Sequence, residues 1–182
     1  MDIFLVRHGE AAASWGESSD PGLSVLGSAQ AENAATLLRQ HICDDTQLWS
    51  SPLRRAVETA GPLAKMIQQV VREDAAFREI PAPVPLAQRQ AWLRHFMQQQ
   101  WREQEADLVA WRTAALQRLL VLRQPAVVFT HFLVINAVVG HVLDRAATLC
   151  FWPANASITR FRHNGTGLEL ITLGEEMTTR VN

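Results

Sequence analysis

The chain has 182 residues, of which 48% are hydrophobic and 19% are charged, and its formal net charge is −1. This length and composition are typical of one globular domain and exclude an intrinsically disordered chain. The near-neutral charge argues against a protein that coats nucleic acid or an anionic membrane. The N-terminal residues resemble neither a signal peptide nor the run of about 20 apolar residues that spans a bilayer, so a cytoplasmic protein is expected.

The N-terminal part of the chain predicts a strand, a loop and a helix. Residues 3–6 form a compact apolar run bounded by polar residues, which is typical of a buried strand. A loop rich in serine, glycine and aspartate follows over residues 9–22. Ser24 is a good N-cap for the next helix. The apolar side of that helix is predicted to carry Leu26, Ala29, Ala34, Leu37 and Leu38.

The next predicted elements are a short strand at residues 47–49 and a second helix. Ser51 and Pro52 are expected to open this helix, with serine as the cap and proline in the first turn, where a missing N–H costs little. Residues 75–80 are expected to form a third strand or an extended segment. The proline-rich run at residues 81–85 cannot be helical and marks a junction.

Residues 86–122 are predicted to form two helices, which carry Trp92, Trp101 and Trp111. Aromatic residues at near-helical spacing are more often buried in a core than left to cover a ligand. Core packing is therefore the favoured role of these tryptophans. A lid that covers the functional site is the alternative role for the same segment.

The C-terminal part of the chain predicts a strand, a helix and a hairpin. An apolar strand covers residues 126–130, and a helix follows over residues 132–144. Two strands at residues 157–162 and 168–173 flank an Asn-Gly turn, which is a strong hairpin signal.

The alternation of strands and helices predicts an α/β protein, a three-layer α/β/α sandwich around a mostly parallel sheet. The terminal hairpin indicates one edge strand that runs antiparallel. We expect a single domain over residues 1–182, with a helical insertion at about residues 86–122 that caps the site if it forms a lid. Nothing in the sequence indicates the oligomeric state.

The first chemical signal is the sequence Arg7-His8-Gly9 at the end of the first predicted strand. In an open α/β sheet, functional groups gather at the carboxyl ends of the strands. Gly9 lets the backbone turn sharply and leaves space beside the imidazole of His8. A single histidine is more often structural than catalytic, so this signal depends on the rest of the chain.

The chain resembles the histidine phosphatase superfamily, the phosphoglycerate mutase-like proteins, whose hallmark is a strand-ending Arg-His-Gly. Further segments are similar to the family's other motifs and occur in the same order, at residues 20–31, 50–60, 127–131 and 153–158. Together these segments span almost the whole chain. The resemblance implies a phosphoglycerate mutase-like fold and the phosphatase branch of the family.

The resemblance implies that His8 is a nucleophile that holds the phosphoryl group covalently. A neutral imidazole can attack phosphorus at physiological pH, and the phospho-imidazole is itself readily hydrolysed. Arg7 and Arg55 are then expected to bind the phosphoryl oxygens, with His131 as a further donor that is protonated while phosphate is bound. Positive charges at these positions stabilise the negative charge on the phosphoryl oxygens in the transition state.

Two adjacent arginines, Arg54 and Arg55, compete for one of these roles. Adjacent helical residues point about 100° apart, so only one of them is expected to enter the site. The family motif places its arginine immediately before an alanine, which selects Arg55. Arg54 is then expected to be a solvated surface charge.

A leaving alkoxide needs a proton, and a carboxylic acid near the phosphate is the usual donor. Glu79 lies where the family often carries this acid, although the run at residues 81–85 replaces the family's usual continuation. Glu10 is the alternative proton donor, because it follows the Arg-His-Gly motif directly.

Two further residues are expected to contact the substrate. Ser14 stands where the family's mutases carry an asparagine, and it is either a phosphate ligand or a solvated loop residue. Phe132 replaces a common glycine after His131, so it is expected to narrow the pocket or give it an apolar wall.

The favoured function is a metal-independent phosphomonoesterase that acts on a small phosphorylated substrate. The alternatives are a phosphoglycerate mutase, a phosphatase of phosphohistidine or phosphoserine in proteins, and an inactive relative that serves as a binding or regulatory module. The sequence contains no metal-ligand cluster, P-loop or Rossmann glycine motif, so no cofactor is expected.

Overall fold

The computed structural model describes residues 1–13 and 18–177. Six strands form one sheet in the order β3-β2-β4-β1-β5-β6. Within these described ranges, no helix is both long and apolar enough to cross a membrane. The strands and α-helices, in chain order, are β1 (Asp2–Arg7), α1 (Val25–Arg39), β2 (Gln47–Ser50), α2 (Arg54–Ile67), β3 (Val71–Glu73), α3 (Arg89–Phe96), α4 (Ala106–Leu120), β4 (Ala126–Thr130), α5 (Phe132–Val142), β5 (Ile158–His163) and β6 (Leu168–Thr172).

The sheet is mostly parallel, with antiparallel pairing towards one edge. β1 pairs with β4, and β2 pairs with both β3 and β4, all in parallel. β5 pairs antiparallel with β1 and with β6, so the C-terminal hairpin completes the sheet. The predicted fold class is therefore confirmed. The strand that runs against the others is β5, the inner strand of the hairpin, while β6 lies at the edge.

Both faces of the sheet are covered by helices, which gives the predicted three layers. Side chains alternate across β1, so that Ile3 and Leu5 pack with buried residues of α4 and α5. Phe4 and Val6 face the other way and pack with buried residues of α1 and α2. The central strands β1 and β4 are apolar on both faces because each face carries its own core.

The first helix begins as predicted, and its buried face contains Ala34 and Leu38 of the predicted apolar side. The hydroxyl of Ser24 caps α1 by accepting a hydrogen bond from the N–H of Gly27, at 2.9 Å. Leu26 and Leu37 are each 54% exposed, so their predicted place on the buried face was wrong. Small side chains allow α1 to approach its neighbours closely, and the buried face is made of Gly27, Ala31, Ala34, Ala35 and Leu38.

The second helix begins later than predicted. Its first residue is Arg54, and Leu53 has extended backbone angles, so Ser51 and Pro52 do not open the helix. The hydroxyl of Ser51 instead accepts a hydrogen bond from the N–H of Leu53, at 3.2 Å, and also contacts His131. The three residues from Ser51 to Leu53 thus connect the end of β2 to the helix as an extended link.

Of the two predictions for residues 75–80, a third strand is wrong, because β3 covers Val71–Glu73. Extended backbone begins at Arg78, after a 3-10 turn at Ala75–Phe77. The side chain of Asp74 accepts a hydrogen bond from the N–H of Ala76, at 2.9 Å, and so caps a single 3-10 turn. Aspartate disfavours strands and favours such local caps. The chain therefore leaves the sheet at Asp74, and the following residues run on towards the functional end of the sheet.

The segment between β3 and β4 forms two α-helices, α3 and α4, with 3-10 turns beside them. Trp92 stacks on Phe96 with ring centroids 5.3 Å apart, and Trp101 stacks on Trp111 at 6.5 Å. This aromatic cluster packs against residues of α5, including Phe132. The tryptophans therefore contribute to a core, the role that the sequence favoured. That this segment also forms a lid over the functional site stays a prediction.

A close approach of two backbones positions the loop that follows β1. A Cβ atom added at Gly27 would overlap the carbonyl oxygen of Glu10, and one added at Gly9 would overlap the carbonyl oxygen of Gly27. The start of α1 therefore lies directly against the residues that follow His8. Neither glycine can carry a larger side chain unless the loop and the helix separate.

Replacing Gly27 with alanine is expected to lower the free energy of unfolding by about 1–3 kcal/mol, as overpacked sites do. Gly61 is the matched control, because it also lies in a helix and a Cβ there would meet no atom of the neighbouring elements in the described residues within 4 Å. Gly61→Ala is expected to change the free energy of unfolding by less than about 0.5 kcal/mol, since the helix preference of alanine is opposed by the proline that follows it. Chemical denaturation measures both values, and equal effects of the two changes would contradict the packing.

Candidate active site

Three polar residues follow three neighbouring parallel strands. His8 comes directly after β1, Ser51 after β2 and His131 after β4. Because β4 lies between β1 and β2 in the sheet, these residues meet at one carboxyl edge. Their backbones are joined across the strands, since the N–H of His8 donates to the carbonyl of Thr130 and that of Ser51 to the carbonyl of Phe129, each at 2.9 Å.

The imidazole of His8 is buried and held in one orientation. Its Nδ1 lies 2.7 Å from the carbonyl oxygen of Gly9. Because a carbonyl can only accept, the proton belongs on Nδ1, and Nε2 keeps a lone pair. Nε2 accepts a hydrogen bond from Nε of Arg55 at 3.1 Å. The N–H of Gly9 donates to the hydroxyl of Thr59 at 3.0 Å, so the loop that orients the ring is itself anchored.

The two adjacent arginines point in different directions. Arg55 is only 5% exposed and contacts His8. Its Nη1 also lies 3.9 Å from a carboxylate oxygen of Asp20. The side chain of Arg54 is 67% exposed and pairs with Glu58 at 2.7 Å on the helix surface. Only Arg55 of this pair therefore enters the site.

His131 lies beside His8, with ring centroids 5.2 Å apart and the planes 60° from parallel. Its Nε2 is 2.7 Å from the hydroxyl oxygen of Ser51. Its Nδ1 is buried and has no hydrogen-bond partner among residues 1–13 and 18–177. The sheet therefore brings together two histidines that are far apart in sequence, and a ring nitrogen of the second is left for another ligand.

Arg7 approaches the site from the strand that carries His8. Its Nη1 donates a hydrogen bond to the carbonyl of Pro153, at 2.7 Å, and lies 3.4 Å from the sulfur of Met177. The guanidinium carbon lies 5.2 Å from the ring centroid of Phe132. These contacts hold a buried cation at the same end of the sheet as Arg55.

Glu79 is a buried carboxyl group at the edge of this cluster, only 8% exposed. One of its oxygens accepts a hydrogen bond from the N–H of Ile80 at 3.0 Å, and the other lies 3.4 Å from the N–H of Leu133 at the start of α5. Burial raises the pKa of Glu79, and these N–H groups and the charge of Arg55 oppose that rise only in part. The protonated form of this carboxyl group is therefore more accessible than that of a glutamate in water.

The two histidines favour the neutral form. Burial lowers the pKa of His8 well below its ordinary value, and the positive charges of Arg55 and Arg7 lower it further. The pKa of His131 is lowered by burial and by the same cationic surroundings. Burial also lowers the pKa of Arg7 to about 10, so its guanidinium remains charged at neutral pH. The cluster thus combines neutral imidazoles with cationic arginines.

The remaining predicted residues lie around this cluster. A carboxylate oxygen of Glu10 accepts a hydrogen bond from the hydroxyl of Ser24 at 2.8 Å, so this side chain is engaged at the start of α1. Phe132 is buried between Arg7 and the ring of Trp152, whose centroid is 5.3 Å away. Ser14 lies outside the described residues.

Sequence reasoning missed two residues that hold the site together. Ser51 was assigned only a helix cap, yet its hydroxyl contacts His131. Thr59 was read only as part of a motif, yet its hydroxyl accepts from Gly9 and donates to the carbonyl of Arg55 at 2.6 Å. A signal for Ser51 was available, because it follows β2 as the two histidines follow β1 and β4.

A cavity of about 390 Å³ opens beside Glu79. It is bounded by the proline-rich run after β3 and by the beginning of α3, where Arg89 faces it. No group of three or more His, Cys, Asp or Glu side chains in the described part of the chain is arranged to hold a metal ion. The chemistry that the cluster itself can support is the recognition of an anion by arginines next to a nucleophilic imidazole and a carboxylic acid.

The family model of the histidine phosphatase superfamily, branch 1, matches residues 3–176. The chain belongs to this superfamily. Among curated proteins, this superfamily member is 28% identical over 160 residues to the human 6-phosphofructo-2-kinase/fructose-2,6-bisphosphatase 4, and equally so to its counterpart from Macaca fascicularis. The matched region covers 80% of the chain but only 33% of those relatives, so the chain spans about a third of their length.

Solved structures of the superfamily share the whole fold. A phosphoserine phosphatase from Entamoeba histolytica in complex with 3-phosphoglyceric acid superposes with a TM-score of 0.74 at 21% identity, covering 97% of this chain and 98% of that one. A mycobacterial glucosyl-3-phosphoglycerate phosphatase superposes with a TM-score of 0.73 at 24% identity, covering 96% of this chain and 99% of the other. These structures confirm the phosphoglycerate mutase-like architecture that the motifs implied.

Proposed function

We propose that this histidine phosphatase hydrolyses phosphate monoesters of small molecules through a covalent phosphohistidine on His8, without a metal ion. The single observation that carries the proposal is the pairing of His8 with Arg55. The proton on Nδ1 is directed to Gly9, and the lone pair of Nε2 faces a guanidinium. An imidazole held in this tautomer next to a cation is suited to attack an anion.

Binding of the phosphoryl group is assigned to the cations around His8. When a phosphate enters, the Nε–H of Arg55 exchanges its bond to His8 for a bond to a phosphoryl oxygen, which frees the Nε2 lone pair. Arg7 and His131 supply further donors to the same group of oxygens. The desolvated site strengthens these interactions because little water screens them.

The first chemical step transfers the phosphoryl group to the enzyme. A bond forms between Nε2 of His8 and phosphorus as the bond from phosphorus to the ester oxygen breaks. Glu79 in its protonated form, which burial makes more accessible, gives its proton to the departing oxygen, so an alcohol leaves. The phosphorylated imidazole carries a positive charge, which the carbonyl of Gly9 stabilises through the Nδ1–H bond.

The second step returns the enzyme to its starting state. The carboxylate of Glu79 takes a proton from a water molecule, whose oxygen attacks phosphorus as the bond to Nε2 of His8 breaks. Inorganic phosphate leaves, and Glu79 is again protonated. Structural relatives that are phosphatases support hydrolysis, and the complexes of one of them with 3-phosphoglyceric acid and phosphoserine support a small phosphorylated substrate.

The proposal is tested with an aryl phosphate such as 4-nitrophenyl phosphate in the presence of excess chelator. The purified protein is expected to release phosphate at the same rate with and without chelator. Activity that requires an added divalent cation would contradict the mechanism.

Hydrolysis is separated from phosphoryl transfer by supplying 3-phosphoglycerate together with a bisphosphorylated primer. Free phosphate is expected to accumulate, because in the proposed mechanism Glu79 activates water once the alcohol has left. Accumulation of the isomeric phosphoglycerate without free phosphate would establish a mutase instead.

Replacing Arg55 with glutamine is expected to lower kcat/KM by about 10²–10³-fold, the usual loss when one preorganised donor to a developing oxyanion is removed. Arg54→Gln is the matched control, since Arg54 is the adjacent residue and its exposed side chain pairs with Glu58 on the surface of α2. This control is expected to keep activity within about twofold, because exposed ion pairs contribute little. Steady-state assays of the two variants measure the difference, and similar losses would reject the role of Arg55.

A further inference from the structure

The cavity beside Glu79 is lined by charged side chains on one part and by apolar side chains on another. Its floor includes Glu79 itself, and two cationic side chains, Arg78 and Arg89, also face it. A volume of about 390 Å³ falls within the range of small-molecule sites. The apolar part of the lining consists of Leu53, Ile80, Pro81, Ala82, Val84 and Leu86.

The guanidinium N–H groups of Arg89 make few hydrogen bonds within the described part of the chain. Its Nη2 lies 3.5 Å from the carbonyl oxygen of Ile80, at the limit of a hydrogen bond. Its Nε is buried and has no hydrogen-bond partner in the described part of the chain. Among those same residues Arg89 forms no salt bridge, whereas Arg118 and Arg160 each pair with an aspartate.

A half-buried guanidinium with an unsatisfied N–H is costly unless another group binds it. Its charge also reaches the catalytic cluster, since Arg89 contributes to lowering the pKa of both Glu79 and His131. Because Arg89 and Glu79 line the same cavity, one small molecule can contact both.

The position of Glu79 decides which part of a substrate enters this cavity. In the proposed reaction Glu79 gives its proton to the leaving oxygen, so the leaving group extends from phosphorus towards Glu79. Glu79 lines the cavity, and the leaving group must then continue into it. The cavity consequently recognises the alcohol portion of the substrate, and Arg89 faces that portion.

We propose that Arg89 binds a second anionic group on the alcohol portion of the substrate, a carboxylate or a second phosphate a few bonds from the reacting phosphoryl group. This inference rests on the proposed phosphatase function and names its substrate class. A planar guanidinium binds such groups through paired hydrogen bonds. Arg89 is a specificity residue in this account, because it does not contact the reacting atoms.

The experiment compares matched pairs of esters. 3-Phosphoglycerate and glycerol 3-phosphate differ only in whether the end of the chain is a carboxylate or a hydroxymethyl group. Propane-1,3-diol bisphosphate and 3-hydroxypropyl phosphate form the corresponding pair for a second phosphate. The wild-type enzyme is expected to favour the doubly anionic member of at least one pair by about tenfold or more in kcat/KM, the effect of a charge-assisted hydrogen bond.

Arg89→Gln is expected to abolish this preference, so that kcat/KM for the two members of the pair becomes equal within about threefold. Arg94→Gln is the matched control, because Arg94 is exposed in the same helix. It is expected to leave the preference unchanged. The pair that loses its preference identifies the second anion. No wild-type preference in either pair, or a preference that survives in Arg89→Gln, would overturn the proposal.

A binding measurement separates this inference from the phosphatase function itself. In a His8→Ala background, calorimetry is expected to show about tenfold tighter binding of the preferred doubly anionic ester than of its partner, and loss of that difference when Arg89 is also replaced. This result can hold even if no ester is hydrolysed, in which case the phosphatase proposal alone fails. Equal affinities for both members of each pair would reject the second anion site.

Discussion

Replacing His8 with alanine is expected to lower the release of phosphate from an aryl phosphate by at least about 10⁴-fold, to the background of the assay. The loss follows from the role of Nε2 as the atom that accepts the phosphoryl group. Arg55 and Arg7 remain in this variant and still bind phosphate, but binding alone leaves the phosphorus–oxygen bond intact. A continuous colorimetric assay with purified variant measures the effect.

Two controls make the result specific to the nucleophile. His8→Asn offers an amide N–H to the Gly9 carbonyl in place of Nδ1–H, so a folded but equally inactive protein is expected. His41→Ala removes an exposed histidine and is expected to keep full activity. Circular dichroism verifies folding. A rate for His8→Ala within tenfold of wild type, in a folded protein, would require a different nucleophile.

Glu79→Gln is expected to lower kcat/KM for an alkyl phosphate by about 10²–10³-fold, the usual contribution of a general acid. An aryl phosphate has a leaving group that needs little proton donation. The decrease in kcat/KM for this substrate is therefore expected to stay below about tenfold. Glutamine keeps the size of the side chain and can still accept from the N–H of Ile80. Comparable losses for both substrates would reject Glu79 as the proton donor.

The alternative acid provides the control. Glu10→Gln is expected to change both rates little, because the Glu10 carboxylate is engaged by Ser24 at the start of α1. The pH profile adds a second test, since burial raises the pKa of Glu79. For alkyl esters, wild-type kcat/KM is expected to fall as pH rises through that raised pKa. The pH profiles of wild type and Glu79→Gln are compared on the same ester, so that titration of the substrate affects both equally. The fall of kcat/KM with rising pH is expected to be absent in Glu79→Gln.

The elements that sequence predicted best are those with one dominant signal. β4 covers Ala126–Thr130 as predicted, because a continuous apolar run between polar residues is typical of a strand buried on both faces. Helix α1 shows the limit of such signals. Hydrophobic spacing selected Leu26, Ala29, Ala34, Leu37 and Leu38, of which Ala34 and Leu38 are buried while Leu26 and Leu37 are exposed. Which stripe is buried depends on tertiary packing, which the spacing does not contain.

Convergence of the site residues could be predicted, but their detailed contacts could not. Strand ends placed His8 and His131 together, and helical geometry with the family motif selected Arg55 over Arg54. The N–H of Leu133 near Glu79 and the link from Thr59 to Gly9 arise from loops whose paths local sequence does not determine. The catalytic roles, the cytoplasmic location and the cap formed by residues 86–122 remain predictions.

The most direct measurement of the central claim is to trap the phosphoryl group on the enzyme. The protein is mixed with a phosphate ester for milliseconds, quenched in alkali, where phosphohistidine persists, and digested for mass spectrometry. The mechanism predicts one phosphoryl group on the peptide that carries His8, lost on acid treatment and absent from His8→Ala. Turnover with no phosphorylated enzyme at any quench time, or with the phosphoryl group on another residue, would contradict it.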